Sequence, residues 1–226
     1  MTVNRRGLLI SGAALAGVIP MRPVLASDAD DARGIVDKAR VTLNDMVKIK
    51  DFDALRAGLK SAKGVLIFPQ ILKAGFFLGG SGGTGVLLVR GAGNAWSEPA
   101  FYTMGAVSFG LQFGGQAAEV VILVNNQKGV DQLMTSSMKL GGDASVAAGP
   151  VGVGQAANVT VDFVSYAKAK GAFIGMSVEG SVLDVRESLN KAYYGKPVTP
   201  IDIVVKGAAS NNQSAALRSA LARVSK

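Results

Sequence analysis

Two residue types are missing altogether: the 226-residue chain has no histidine and no cysteine. Without histidine there is no Ser–His–Asp triad. Without cysteine there is no thiol nucleophile and no disulfide, and without either there is no zinc site of the usual ligand type. Aromatic residues are few, 6% of the chain. The longest apolar run falls short of the ~20 residues that span a bilayer. Acids are outnumbered, 16 Asp+Glu against 24 Lys+Arg, for a formal charge of +8. What is plentiful is glycine, 29 residues, where an average chain has ~7%. No collagen period accompanies it, so it points to tight turns and glycine-bearing strands. An apolar content of 49% excludes a disordered chain.

Residues 1–26 read as a signal peptide. Arg5 and Arg6 supply the charged start, Gly7 to Pro20 the apolar stretch, and Val24-Leu25-Ala26 the small residues of a cleavage site before Ser27. Asn4-Arg5-Arg6-Gly7-Leu8-Leu9 resembles a bacterial twin-arginine signal, and an ordinary secretory signal is the alternative. Cleavage would remove Arg5, Arg6 and Arg22 and no acid, leaving a net +5. The expectation is an exported, periplasmic protein whose residues 27–226 form one domain.

Along that domain the hydrophobic period changes from helical to strand-like. Ser27 to Val47 predicts a helix, with Asp28, Asp30 and Asp31 at its start, where the helix dipole favours anions. A shorter helix is expected over Phe52 to Ala62, capped by Asp51 or Asp53. Gly64 to Phe68 reads as a buried strand closed by Pro69. Phe76 to Gly80 and Thr84 to Arg90 read as a hairpin turning at Ser81-Gly82-Gly83. Phe101 to Gln116 alternates, Val120 to Val124 is apolar throughout, and Lys128 to Met138 suggests a short helix. Strands are expected over Asp143 to Ala148, Val159 to Lys170 and Ala172 to Ser177, and helices over Val182 to Tyr193 and Ser210 to Val224. The sum is an α+β fold: an antiparallel, glycine-rich β core (sheet, sandwich or partial barrel) flanked by N-terminal and C-terminal helices.

Three motif matches fail on context. Gly80-Ser81-Gly82-Gly83-Thr84-Gly85 fits G-x-G-x-x-G, but a strand pattern follows it, not the helix that would hold a pyrophosphate. Gly79-Gly80-Ser81-Gly82-Gly83 fits the nucleophile elbow, but no histidine exists to activate the serine. Asn158-Val159-Thr160 fits a glycosylation acceptor but lies in a strand pattern behind a bacterial-type leader. An outer-membrane barrel is disfavoured by the helical ends and the scarcity of aromatics.

An ordered set of blocks carries a resemblance. Ala62-Lys63-Gly64-Val65-Leu66-Ile67-Phe68-Pro69 is followed by Lys73-Ala74-Gly75-Phe76, Gly83-Thr84-Gly85-Val86-Leu87 and Trp96-Ser97-Glu98-Pro99-Ala100-Phe101. Then come Ser108-Phe109-Gly110-Leu111-Gln112, Val146-Ala147-Ala148-Gly149-Pro150-Val151-Gly152, Ser165-Tyr166-Ala167-Lys168-Ala169-Lys170-Gly171 and Ser177-Val178-Glu179-Gly180-Ser181. The set resembles the SYLF domain over about Leu59 to Gly195. The resemblance implies a lipid-binding module and no enzyme. Eukaryotic members bind phosphoinositides, some yeast members bind and bundle actin, and bacterial members are mostly exported. Actin is not expected as a partner in a bacterial envelope. Ala167 and Ala169 stand where the family often has Ser, and Val153 where it often has Arg, which implies weaker or different headgroup contacts. The acidic start of the first helix also suits an anionic bilayer poorly.

The candidate site follows from the strand period. Tyr166, Lys168 and Lys170 share one face, and cations beside an aromatic suit a phosphate and its glycerol backbone. Lys60, Lys63 and Lys73, within the wider group Lys48, Lys50 and Arg56, form a second basic set. Glu179 reads as a buried carboxylate partnered by Lys168 or Lys170. No cofactor and no metal are expected. The expected function is an exported, non-enzymatic phospholipid-binding module that meets anionic headgroups or a membrane surface. The alternatives are an envelope adaptor with a protein partner and, less favoured, an enzyme using Asp, Glu, Lys or Tyr. Nucleic acid is not expected, since the basic residues do not interleave with stacking aromatics.

Overall fold

The computed structural model describes residues 28–75, 78–109, 116–149, 161–169, 172–174 and 178–226. The expected leader, Val153, Asn158 and Lys170 lie outside the described residues. The elements in order are α1 (Asp28–Met46), α2 (Asp53–Ser61), β1 (Gly64–Gly75), β2 (Leu78–Val89), β3 (Ala100–Phe109), β4 (Gln116–Val124) and α3 (Gln127–Leu133). They continue with β5 (Ser137–Lys139), β6 (Val146–Ala148), β7 (Phe163–Ala169), β8 (Ala172–Ile174), β9 (Val182–Val185), α4 (Glu187–Tyr194) and α5 (Ala215–Val224). The strands form one curled sheet, half of a barrel, in the order β5-β9-β3-β2-β1-β4-β7-β6, with β8 paired to β7. Every ladder is antiparallel except β6–β7.

Both faces of the sheet are covered, which is why its central strands read as unbroken apolar runs. On one face, Val65, Ile67, Val86, Leu88, Phe101, Val121, Leu123 and Tyr166 pack against the helices. The buried stripe of α1, Ala32, Val36, Ala39, Leu43 and Met46, recurs every three or four residues and lies against them with Leu59, Tyr193 and Leu221. On the other face, Leu66, Phe68, Leu87, Tyr102, Val120, Ile122 and Phe163 pack under Val130 and Leu133 of α3, with Met138, Leu183 and Ile203.

Three sequence expectations need correction. The first strand does not end at Pro69. It runs on to Gly75 through a bulge, where the register shifts between Ile67 and Leu72 against β2 and between Phe68 and Ile71 against β4. Ser81-Gly82-Gly83 is not a hairpin turn but the interior of β2. The bulge explains the glycines: a Cβ on Gly83 would overlap the Gln70 carbonyl oxygen, and one on Gly85 would overlap the Ile67 carbonyl oxygen and the Phe68 ring. Lastly, Val182 to Tyr193 is not one helix: its first residues form β9 beside β3, and α4 begins only at Glu187. Smaller shifts occur too. Neither Asp51 nor Asp53 caps α2; Asp53 pairs with Arg56, which also donates to the Val47 and Ile49 carbonyls. The stretch after Leu133 turns into β5 instead of prolonging α3.

Two polar anchors fix the periphery. Asp162, 3% exposed, accepts hydrogen bonds from Asn126 Nδ2 (3.0 Å), Lys128 Nζ (3.0 Å) and Ser145 Oγ (2.8 Å), tying the start of β7 to α3 and β6. Burial alone would raise this carboxyl; the hydrogen bonds outweigh it and hold it well below the usual aspartate range. The Arg90 guanidinium lies 4.6 Å from the Trp96 ring centre and donates to the Leu59 and Ala62 carbonyls, closing the C-terminus of α2.

Gly85→Ala lowers the unfolding free energy by about 1–3 kcal/mol through overpacking, while Gly105→Ala, whose Cβ meets nothing within 4 Å, changes it little; urea unfolding of both variants reads the difference. Because the folded state holds Asp162 ionised below its ordinary pKa, its contribution is present at neutral pH and lost as the pH falls from about 4. Asp162→Asn should therefore lower the urea midpoint at pH 7 and flatten its decline in acid.

Candidate functional site

The bulge opens a cleft on the helix-covered face. Beyond it, β1, β2 and β4 continue past the end of the helical cover. The register sets Gly105, Gly82, Leu72 and Ala117 side by side in one row across β3, β2, β1 and β4. Two members of the row lack a side chain and a third is alanine, so Leu72 stands clear, 54% exposed. The cleft, about 520 Å³, lies between this part of the sheet and α1. Pro69, Gln70, Ala117 and Ala118 line it from the sheet, and Lys38, Val41 and Thr42 from α1. Val41 is 46% exposed.

Glu119 and Lys168 complete the lining. They are cross-strand partners in the β4–β7 ladder and their side chains form an ion pair. The same carboxylate accepts a hydrogen bond from Thr42 Oγ1 at 3.0 Å, which ties it to α1. The pair is partly shielded, with side-chain exposures of 15% for Lys168 and 25% for Glu119, so it is stronger than an ion pair in open water. Lys38 is exposed. The cleft thus offers two cations, one carboxylate, a hydroxyl and a side-chain amide beside two bare aliphatic side chains.

The structure separates the residues that the sequence groups together. Tyr166 and Lys168 do share a face, but Tyr166 is 3% exposed, edge-on to Phe52 with ring centres 6.2 Å apart, and belongs to the core. Burial pushes its hydroxyl pKa up to about 12. It is enclosed by the core; Lys168, one pleat nearer the strand end, lines the cleft. Lys170 lies outside the described residues, and Lys73 is described only as a backbone position of β1. Lys60 and Lys63 are exposed, but at the other end of the sheet. Gly64 pairs with Val124 and Lys168 with Glu119, a separation of about 17 Å along β4. Glu179 is exposed in a turn beside Gly141, not buried, and the partner of Lys168 is Glu119. Lys38, Val41, Thr42 and Glu119 were not singled out from the sequence. Only the β4–β7 register and the crossing of α1 bring them together.

Several family-like blocks hold the fold. In the block Trp96 to Phe101, Trp96 Nε1 donates to Ser225 Oγ (3.2 Å). Glu98 accepts from Ser214 Oγ (2.7 Å) and from Arg218 (2.9 Å), and the Pro99 carbonyl accepts from Tyr194 (2.6 Å). The backbone N–H of Phe101 donates to Asn190 Oδ1 (2.9 Å). These bonds fasten α4 and α5 to the sheet. Among the described residues, no group of three or more acids is placed to hold a metal ion, and no helix is long and apolar enough to cross a membrane.

The family described as "Ysc84: Las17-binding protein actin regulator" matches residues 105–224. LAS seventeen-binding protein 3 of Saccharomyces cerevisiae is 36% identical over 148 residues, which is 62% of this chain and 32% of that protein. Protein YSC84 of the same yeast is likewise 36% identical, over 31% of its length. SH3 domain-containing YSC84-like protein 1 of Bos taurus is 31% identical over 151 residues, 65% of this chain and 44% of that protein. The chain therefore spans about a third to under a half of these relatives' length.

If Tyr166 belongs to the core, Tyr166→Ala should cost about 3–5 kcal/mol of stability, the range for removing a buried ring. Tyr166→Phe, which keeps the ring, should cost far less. Thermal unfolding of the two variants checks the contrast.

Proposed function

This chain belongs to the Ysc84 (SYLF) family, and from that premise we propose that it is a non-enzymatic binding module that docks on phospholipid membranes through the cleft between α1 and the sheet. The observation that carries this reading is the pairing of exposed aliphatic side chains, Val41 and Leu72, with the cations Lys38 and Lys168 at one end of the molecule. Aliphatic groups gain by leaving water, while each lysine near an anionic surface adds about 1 kcal/mol. Polar heads beside a bare apolar shelf are what a lipid interface requires of a protein that lies on it without spanning it. The acidic first turn of α1, Asp28 to Asp31, is kept off such a surface. Asp28 is ten residues before Lys38, roughly 15 Å along the helix axis. On this reading the leader exports the chain to the periplasm, and the membrane it meets is that of the envelope. N-terminal sequencing of the cell-fractionated protein, with Ser27 as the expected first residue, tests the export.

A protein partner is the second reading. The relatives that favour it carry names for binding and actin regulation, and an apolar shelf serves a protein surface as well as a lipid one.

The separating experiment is co-sedimentation with phosphatidylglycerol-containing vesicles. Wild-type protein should pellet at low salt and less so as salt rises. Leu72→Asp should weaken pelleting by roughly tenfold or more, since it replaces a side chain whose burial contributes about 1.5–3 kcal/mol. Absence of pelleting at low salt, with crosslinking that captures one envelope protein and is abolished by Leu72→Asp, would favour the protein partner instead.

A further inference from the structure

The acid in the cleft is the feature that a plain anion-binding surface does not explain. Resting on the phospholipid reading, we propose that the cleft recognises a phosphate joined to a primary ammonium, the headgroup of an aminophospholipid, and that Glu119 is the residue that reads the ammonium.

Selectivity here is a matter of charge partners. Without a ligand, Lys168 is held by Glu119, and Glu119 also by Thr42. A headgroup that carries only negative charge must draw Lys168 away. The carboxylate, whose Oε2 is enclosed although the side chain as a whole is 25% exposed, would then be left without its cation and facing a phosphate. Stripping one partner from a shielded ion pair is strongly unfavourable, because the remaining charge is neither paired nor fully hydrated. A zwitterionic headgroup avoids this by exchange. Its phosphate takes Lys168 and Lys38, its ammonium takes Glu119, and no charge is left alone. The Thr42 hydroxyl keeps the carboxylate in place throughout.

The same lining selects between zwitterions. A choline group has no N–H to donate, and its recognition relies on aromatic rings around the quaternary nitrogen. Among the described residues lining the cleft there is no aromatic ring. A primary ammonium, with three donors, matches a carboxylate; a trimethylated one does not. At about 520 Å³ the cleft has the volume of a small-ligand site. Val41 and Leu72, 46% and 54% exposed, point to a lipid rather than a soluble phosphoethanolamine ester, which would leave both side chains wet.

The test compares vesicles of phosphatidylcholine alone, with added phosphatidylethanolamine, and with added phosphatidylglycerol, each at low salt and at a salt concentration that screens surface charge. Wild-type protein should bind the ethanolamine vesicles about tenfold more tightly than choline vesicles, the effect of one hydrogen-bonded charge pair. Glu119→Gln, close to isosteric, should erase that advantage while phosphatidylglycerol binding persists or rises, which also shows that the variant is folded. Lys38→Ala, at an exposed position, should weaken the phosphatidylglycerol and phosphatidylethanolamine vesicles alike. Equal binding of ethanolamine and choline vesicles, or an ethanolamine advantage that survives Glu119→Gln, overturns the assignment while leaving phospholipid binding intact. Displacement from vesicles by glycerophosphoethanolamine at matched concentration overturns the lipid as its source. Failure of every composition at low and high salt overturns the phospholipid reading itself.

Discussion

Pro69 has no amide hydrogen to give to a ladder, yet it stands in β1, which has a paired strand on each side. A central strand tolerates proline only where the ladder is already interrupted. The chain meets this constraint with the bulge between Phe68 and Ile71, and much else depends on it. The one extra residue of β1 brings the Ile67 and Gln70 carbonyls against β2, so Gly83 and Gly85 have no room for side chains. The strand beyond the bulge sits in a shifted register, with Leu72 between Gly82 and Ala117. Pro69 and Gln70 become the floor of the cleft, on the side where α1 crosses. One missing hydrogen bond donor thus accounts for Gly83 and Gly85 and for the position of the cleft.

The sheet's two-sided burial explains which parts of the architecture were legible in the sequence. Runs such as Val120 to Val124 are apolar at every position because alternate residues serve opposite cores. That signal survives without tertiary information, and so does the helical stripe of α1. Ser81-Gly82-Gly83 misled for a physical reason. Three small residues in a row are the local signature of a turn, while Gly83 at least is demanded by the carbonyl of Gln70 on the neighbouring strand. Val182 to Tyr193 misled differently: Val182, Leu183, Val185 and Leu189 fit either period over so short a stretch, and the pairing of β9 with β3 decides it.

The site shows the same division between local and distant information. That Tyr166 and Lys168 share a face is a property of the strand alone. That the face is roofed by Phe52 at Tyr166 and open at Lys168 depends on where the helices stop. Glu119 was invisible as a partner because it lies far along the chain from Lys168 and farther still from Thr42; the β4–β7 register and the path of α1 bring the three together. The basic group at Lys60 and Lys63, dense in the sequence, belongs to the opposite end of the sheet, so charge counted along the chain overstated charge gathered in space.

The recurrent blocks therefore do unlike work. Trp96 to Phe101 spends its polar atoms on Ser225, Ser214, Arg218, Tyr194 and Asn190, and has few left to offer a ligand. Such a block holds the fold: it closes α4 and α5 onto the sheet. Lys168 sits in the same ladder as the buried core, yet its ammonium ends at the rim of a cleft, held by an acid that a ligand's own charges could replace. A residue committed to holding the fold has no second partner to exchange. The Glu119–Lys168 pair has, because it is only partly shielded and has open volume beside it. Among the described residues, the cleft at the bulge is therefore a place where the framework leaves charge uncommitted to the fold.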